Sequence, residues 1–165
     1  MRRHREPIYR LIKGHIGDGE EALDVTQDSF AAAFHHLARY DRSRPFRAWL
    51  ARIAINKSRD FHRRRRVRQI FSFASSLPPG AMERAVDLAP GPDDVTFARV
   101  GLERLARAVT DLPPALKETL LLRTVEGFSQ AETALALSLS EKTVETRLYR
   151  ARSRLTKILG AGARD

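Results

Sequence analysis

The sequence contains no cysteine among its 165 residues. Disulfides and thiolate metal sites are therefore excluded, which fits a reducing compartment. No run approaches the roughly 20 apolar residues that a membrane-spanning helix needs. The basic N-terminus "MRRHREPIYRLIKGH" lacks the apolar stretch of a signal peptide. We therefore expect a soluble, cytoplasmic chain that does not insert into membranes.

Recognisable catalytic motifs are also missing. The sequence has no HExxH, no phosphate-binding loop, and no Ser or Cys nucleophile with an identifiable base. His35 and His36 are adjacent, so on a helix they diverge instead of sharing a metal ion. We expect no enzymatic activity in the isolated chain, no metal, no cofactor and no small-molecule substrate.

Acidic residues are in the minority, and the excess of basic ones is uneven. Thirty Lys and Arg against twenty Asp and Glu give a net charge of +10, which favours a polyanionic partner. Residues 1–66 alone carry sixteen basic and eight acidic side chains. Residues 67–98 hold four of the eight prolines, which resist helix and sheet. We interpret 67–98 as a flexible linker between helical domains at 1–66 and 99–159, with a tail at 160–165.

Helical periodicity dominates both predicted domains, and no stretch has the period of a strand. In "GDGEEALDVTQDSFAAAFHHLARY", Leu23, Phe30, Phe34 and Leu37 share one face, and Asp18 can cap the start. After the turn "DRSRP" comes a helix with a buried face and a polar face. The residues expected to be buried there are Trp49, Leu50, Ile53 and Phe61. The predicted fold class is all-α.

Two capped helices close together predict a helix-turn-helix in "FSQAETALALSLSEKTVETRLYRARSRL". Ser129 and Glu132 form a capping box, and Ser140 caps the next helix after a very short turn. In this motif the second helix lies in the major groove. Arg147 and Arg150 are therefore candidates for contacts with guanine. The residues expected to pack the motif are Ala134, Leu137, Leu139, Val144 and Leu148.

Taken together, these motifs resemble the extracytoplasmic-function (ECF) sigma factors of the sigma-70 family. The resemblance rests on "VTQDSF", "PFRAWLARIAIN", the arginine run at 63–66, and the whole of "LPPALKETLLLRTVEGFSQAETALALSLSEKTVETRLYRARSRL". It implies two helical domains, regions two and four, in a dissociable subunit that starts transcription. The implied partners are core RNA polymerase (its β′ coiled coil and β flap), promoter DNA and an anti-sigma factor. It also implies that most of the family's first helix is missing.

The resemblance implies roles for three groups of residues. Docking on the β′ coiled coil is expected of Asp24, Gln27 and Asp28. Melting and recognition of the minus-ten element are expected of Tyr40, Arg42, Arg44, Asn56, Arg59, Arg63 and Arg64. Contacts with the minus-thirty-five element are expected of Lys142, Thr143, Glu145, Thr146, Arg147, Tyr149 and Arg150.

Glu145 departs from the Lys or Arg that many members have at this position. A carboxylate can accept a hydrogen bond from cytosine N4. Alternatively, Glu145 pairs with Lys142 or Tyr149 and contacts no base.

Two other classes of DNA-binding protein remain open. A response-regulator-like repressor or activator shares the helix-turn-helix and reads duplex DNA without polymerase. A basic nucleoid protein would bind without sequence preference and would lose affinity steeply as salt rises. Only a sigma factor needs core polymerase to act at a promoter.

Overall fold

The computed structural model describes residues 2–74 and 96–161, and every regular element in these two ranges is a helix. The prediction of an all-α fold is confirmed. A 3₁₀ turn at Leu37–Arg39 follows the second helix, and a π-helical turn at Leu121–Val125 follows the fifth. The helices are α1 (Arg2–Ile16), α2 (Gly19–His36), α3 (Phe46–Ala74), α4 (Thr96–Thr110), α5 (Pro114–Leu120), α6 (Gln130–Leu137) and α7 (Glu141–Ala161).

Helices α1, α2 and α3 pack together as a bundle in the first half of the chain. Helix α1 buries Ile8, Leu11 and Ile12 against its neighbours. The sequence predicts that most of the family's first helix is missing. The structure has a 15-residue helix at this place, and its apolar face belongs to the core.

The core face of α2 is not the predicted apolar stripe. Leu23, Phe34 and Leu37 are 40%, 66% and 46% exposed, and only Phe30 of the four packs partly against the core. Mostly small side chains occupy the inner face of α2, where neighbouring helices pack closely. The large apolar side chains of α2 therefore lie on its outer face. The buried residues of α2 are Ala22, Val25, Thr26, Ser29 and Ala33.

Helix α3 is longer than the sequence predicts. Leu50 is fully buried and Trp49, Ile53 and Phe61 are partly buried, as expected. The helix then continues through residues 67–74, and α4 begins at Thr96. Both ends of the predicted linker are therefore helical. Helix α3 extends into the linker because the arginine run and the residues after it contain no proline or glycine to stop the helix. The rest of the predicted linker, 75–95, lies outside the described residues.

The second half contains α4 to α7. Pro114 occupies the first turn of α5, where the missing N–H of proline removes no helical hydrogen bond. The helix passes into the π-helical turn and ends before Gly127, which has a φ of 63°. Leu112, Leu120 and Ala151 form a small core between α5 and α7.

The two halves are not separate bodies, because they share the larger apolar core. Leu121, Leu122 and Phe128 from the second half are buried in the same cluster as Ile12 and Ala54 from the first. Gly14 of α1 approaches Leu121 so closely that a Cβ atom built on Gly14 would lie 2.8 Å from Leu121 Cδ2. The sequence predicts two domains, and the structure adds that they pack directly on each other.

Candidate nucleic-acid interface

The predicted helix-turn-helix is formed by α6 and α7. Ser129 Oγ accepts a hydrogen bond from Glu132 N at 3.1 Å, and Glu132 Oε2 accepts one from Ser129 N at 2.9 Å. This reciprocal pair is the predicted capping box. Ser140 Oγ accepts from Thr143 N at 3.2 Å and so caps α7. The start of each helix is therefore fixed where the sequence predicts it.

The turn between α6 and α7 requires a left-handed residue, and Ser138 supplies it with φ 57° and ψ 49°. Glycine adopts this conformation at no steric cost, whereas serine does not. Ala134 and Val144, two of the residues predicted to pack the motif, are both buried. Gln130 Nε2 also donates to the Glu141 carbonyl oxygen at 3.1 Å, which ties the start of α6 to the start of α7.

The outer face of α7 presents a row of polar side chains to solvent. Tyr149 is 75% exposed, and Lys142, Glu145 and Arg150 are exposed beside it. Thr143, Thr146 and Arg147 are half-buried. All seven residues predicted to contact the minus-thirty-five element therefore belong to one helix with an accessible face.

Glu145 has a partner on its own helix. Lys142 Nζ lies 3.1 Å from Glu145 Oε2, so Glu145 forms the ion pair with Lys142 that the sequence allowed, and its contact with a base stays a prediction. Both side chains are more than half exposed, so this pair adds little to stability and can separate. The Thr146 hydroxyl donates to the Lys142 carbonyl oxygen at 2.9 Å.

The loop between α2 and α3 is organised by aromatic packing and short-range hydrogen bonds. Tyr40 OH donates to the Arg44 carbonyl oxygen at 2.6 Å. The Tyr40 ring packs against both Phe46 and Trp49, with centroids 5.3 and 5.0 Å away, and these two rings also contact each other. Arg44 also pairs with Asp41 at 3.2 Å. Trp49 is therefore part of an aromatic cluster that supports the loop.

The remaining residues predicted for the minus-ten element differ in what their side chains contact. Asn56 and Arg64 are exposed, and exposed Arg63 pairs with Asp60 at 3.0 Å on the same helix. Arg59 instead points to the second half of the chain, where its guanidinium donates to both oxygens of Glu118 at 2.7 and 2.5 Å. The structure thus does not bring all seven residues to one free surface.

The predicted docking residues lie on the outer face of α2. Asp24, Gln27 and Asp28 are exposed, and the exposed Leu23 and Phe34 lie on the same helix. An exposed mixture of carboxylates and large apolar side chains is typical of a protein-binding surface. Sequence reasoning assigned the apolar residues to packing and so did not count them with the docking residues.

Four arginines of the first half donate hydrogen bonds across the seam between the halves. Arg10 donates to both oxygens of Glu126 at 3.2 and 3.1 Å. The sequence did not predict these contacts, because they join residues separated by many positions along the chain. The other three pairs are Arg47 with Glu132, Arg52 with the Leu135 carbonyl oxygen, and Arg59 with Glu118.

The three glutamates at this seam differ in the direction of their pKa shifts. Burial alone would raise the pKa of the Glu118 carboxyl, but hydrogen bonds from Arg59 and His15 outweigh burial and lower it. The hydrogen bond from Arg47 lowers the pKa of Glu132 to about 2. Burial raises the pKa of Glu126, and Arg10 offsets only part of the increase. Glu118 and Glu132 are thus held in the charged form that attracts arginine.

Neither a metal site nor a membrane span is found in the part of the chain that the structure describes. No group of three or more His, Cys, Asp or Glu side chains there could hold a metal ion. No helix among the described residues is both long and apolar enough to cross a membrane.

Comparison with family models and known proteins agrees with this arrangement. Residues 1–68 match the model of sigma-70 region 2, and residues 102–155 match that of sigma-70 region 4. The chain is 45% identical to the RNA polymerase sigma factor CnrH of Cupriavidus metallidurans over 84% of this chain and 73% of CnrH. It is 38% identical to the RNA polymerase sigma factor NccH of Alcaligenes xylosoxydans xylosoxydans over 96% and 84% of the two chains.

Solved structures of sigma factors also resemble this chain. CnrH in complex with the cytosolic domain of CnrY has a TM-score of 0.70 and 34% identity, with coverage of 96% of this chain and 84% of that one. The Bartonella quintana sigma factor RpoE, in complex with the anti-sigma factor NepR, has a TM-score of 0.72 at 20% identity, covering 94% and 91%. The second likeness concerns the fold alone. With both regions matched in order and relatives of this identity, the chain belongs to the extracytoplasmic-function sigma factors of the sigma-70 family.

Proposed function

We propose that this sigma factor binds core RNA polymerase in the cytoplasm and directs it to promoters, with region 4 on the minus-thirty-five duplex and region 2 on the melted minus-ten strand. The observation that carries the proposal is the accessible polar face of α7, presented by a helix-turn-helix whose two helices are both capped at their N-termini. Region 4 is here the second half of the chain, and region 2 is the first half.

On the minus-thirty-five element, α7 would enter the major groove with its N-terminal half toward the bases. Arg150 is exposed and free to make a bidentate contact with guanine. Glu145 could accept from cytosine N4 only if it leaves Lys142, which would then be free to contact a phosphate. On DNA, Lys142 and Glu145 would therefore exchange their contact with each other for contacts with a phosphate and a base.

On the minus-ten element, region 2 would hold bases that leave the stack. Asn56 is exposed on α3, and its amide offers both a donor and an acceptor to an extruded base. Tyr40 lies on the loop that precedes α3, and the contacts of its ring with Phe46 and Trp49 hold this loop in place. Arg63 and Arg64 follow on the exposed half of α3, where they can neutralise phosphates.

Docking on the polymerase would use the outer face of α2. Asp24, Gln27 and Asp28 supply polar contacts to the β′ coiled coil, and Leu23 and Phe34 supply apolar area beside them. Region 4 would in turn contact the β flap. Such a surface explains why large apolar side chains of α2 are left in contact with water.

An anti-sigma factor is the third partner that we propose. The solved relatives CnrH and RpoE are bound to the cytosolic domain of CnrY and to the anti-sigma factor NepR, respectively. By analogy, a partner that covers the polymerase-binding face of α2 would keep this chain inactive. The regulated state would then depend on release of that partner.

Run-off transcription tests the proposed function. Purified bacterial core polymerase is combined with a library of promoter fragments, with and without the full chain. Discrete starts that require the protein would establish promoter direction, and their upstream sequences would define both elements. Binding to the same fragments without protein-dependent starts would instead favour a stand-alone helix-turn-helix regulator.

A further inference from the structure

The last turns of α3 project beyond the bundle of region 2. Earlier turns of this helix bury Ala54 and Ser58 in the fold, whereas every residue from 63 to 71 is exposed. Because no side of this stretch packs in the core, burial within the chain does not account for the large apolar side chains that it carries.

Three of these side chains form one apolar stripe. Val67, Ile70 and Phe71 are 46%, 62% and 68% exposed. Their spacings of three and four residues place them on the same face of the helix. Apolar side chains that are grouped on an exposed face, in contrast to single scattered ones, mark a binding surface. We call these three residues the α3 stripe.

Arginines surround the α3 stripe. Five of the six residues from 63 to 68 are arginine, and no Asp or Glu occurs from 61 to 74. Arg66 and Arg68 are the chain neighbours of Val67, so at about 100° per residue they lie on either side of the stripe. The end of α3 is therefore a basic amphipathic helix.

Arg65 shows which way the α3 stripe is directed. Its Nη1 atom lies 3.2 Å from Glu21 Oε2 on α2. Arg65 precedes Val67 by two positions, which is about 200° around a helix, so it lies on the side of α3 roughly opposite the stripe. The contact with Glu21 thus places α2 behind the stripe and leaves the stripe directed away from the bundle.

We propose that the end of α3 binds the surface of an anionic phospholipid bilayer. The α3 stripe would enter the boundary between headgroups and acyl chains, and the flanking Arg66 and Arg68 would contact lipid phosphates. A basic amphipathic helix of this kind lies in the plane of the interface. It does not cross the bilayer, in agreement with the lack of a membrane-spanning helix among the described residues.

Other partners fit only part of this surface. The phosphates of nucleic acid would pair with the arginines, but Val67 and Ile70 have no flat ring on which a base can stack. A second copy of the chain would cover the stripe but would bring two sets of arginines together, which is unfavourable. An anionic bilayer offers phosphates and an apolar interior next to each other, as the helix end requires.

Co-sedimentation of the full chain with vesicles tests the proposal. The affinity for vesicles of equal parts phosphatidylcholine and phosphatidylglycerol should be at least about tenfold tighter than for phosphatidylcholine alone. The stripe variant, Ile70→Gln/Phe71→Gln, should lose about tenfold in this affinity. The matched control, Val100→Gln/Leu102→Gln, removes two apolar side chains of α4 that are 48% and 67% exposed and should bind like the wild type.

A second pair of variants tests the arginines. Arg66→Gln/Arg68→Gln should weaken binding to the anionic vesicles, whereas Arg152→Gln/Arg154→Gln, which removes two exposed arginines of α7, should not. All these positions are exposed, so the variants should keep the helical circular dichroism spectrum of the wild type. Equal losses in each variant and its control would mean general charge attraction and would overturn the proposal.

A fluorescent label reports whether the α3 stripe itself meets the lipid. The chain has no cysteine, so Val67→Cys and Thr156→Cys each give one exposed site for an environment-sensitive dye. On anionic vesicles the emission should shift to the blue for the dye on Val67→Cys and stay unchanged for the dye on Thr156→Cys. No binding to anionic vesicles, or binding without this shift, would overturn the proposal. A stripe variant that loses affinity for oligothymidylate but not for vesicles would also overturn it and would assign the stripe to nucleic acid.

Discussion

Arg47 of α3 and Glu132 of α6 are joined by two hydrogen bonds, so one carboxylate links region 2 to the first turn of the helix-turn-helix. The same Glu132 side chain also accepts from Ser129 N. The capping box of α6 and the contact between the two regions therefore both depend on Glu132. Substitutions at Glu132 can separate the two roles.

Glu132→Gln keeps a capping side chain and removes the charge, whereas Glu132→Ala removes both. We expect Glu132→Ala to cost about 1 kcal/mol more than Glu132→Gln in free energy of unfolding, the usual net contribution of one hydrogen bond. Urea unfolding at neutral pH measures the difference. Equal losses would mean that the capping hydrogen bond contributes nothing.

The same carboxylate makes stability depend on pH. Because its folded pKa is about 2 and its ordinary value is 4.5, the unfolded chain takes up the proton first as the pH falls. The stabilisation is complete above pH 4.5 and is lost as the pH falls from there toward 2. Wild type should therefore lose its advantage over Glu132→Gln in this window, and a pH-independent difference would contradict the assignment.

Ser138 is in the left-handed conformation at the turn of the helix-turn-helix. Ser138→Gly should stabilise the chain by roughly 0.5–1 kcal/mol, since glycine avoids the steric cost and a serine here caps no helix start. Thermal unfolding measures the change. Ser140→Ala, which removes the α7 cap, is the contrasting variant and should destabilise the chain. A destabilised Ser138→Gly would contradict this account.

Arg150 tests the recognition role of α7. Arg150→Ala should weaken use of the cognate minus-thirty-five element by about 1–3 kcal/mol, the cost of losing one base contact. The comparison variant is Arg152→Ala, which is also exposed on α7 but is outside the set predicted to read the minus-thirty-five element, and which should weaken all sequences alike. Unchanged transcription at limiting protein would exclude Arg150 as a base contact.

Asn56 tests the minus-ten role of region 2. Its side chain is exposed and its known hydrogen bond is a long one of 3.5 Å from Arg59, so Asn56→Ala should leave folding unchanged. We expect polymerase binding to be preserved and open-complex formation, followed by permanganate footprinting, to be impaired. Parallel loss of binding and opening would indicate a folding defect instead.

Phe34 tests the docking face of α2. Because the side chain is 66% exposed, Phe34→Ala should change the free energy of unfolding by less than about 0.5 kcal/mol. Affinity for core polymerase, measured by competition with a labelled sigma factor, should fall. Leu50→Ala is the contrast, because it empties a buried site and should destabilise the fold. Undiminished affinity of Phe34→Ala would remove Phe34 from the docking surface.

Local signals in the sequence predicted the helix-turn-helix almost residue by residue. Capping residues such as Ser129 and Ser140 act over three positions, and the structure confirms both. The core face of α2 was harder to predict, because the small residues Ala22 and Ser29 pack there in place of Phe34. Periodicity identifies a stripe of large apolar residues, but it does not say whether the stripe packs inside the chain or against another protein.

The seam between the regions was outside the reach of sequence reasoning. Arg59 was assigned to DNA by its charge and position, and no local pattern connects it with Glu118, 59 residues away. A carboxylate two residues before the apolar run "LLL" in "LKETLLL" is the one signal that was available, since a charge buried there needs a cation from elsewhere.

The shared apolar core makes the stability of each region a property of both. Leu122 and Phe128 complete a cluster whose other members are largely in region 2. Region 4 cut out as a fragment would present these side chains to water, and region 2 alone would lose the cover that they provide. A substitution that changes the shape of this shared core in one region should therefore require a compensating substitution in the other region.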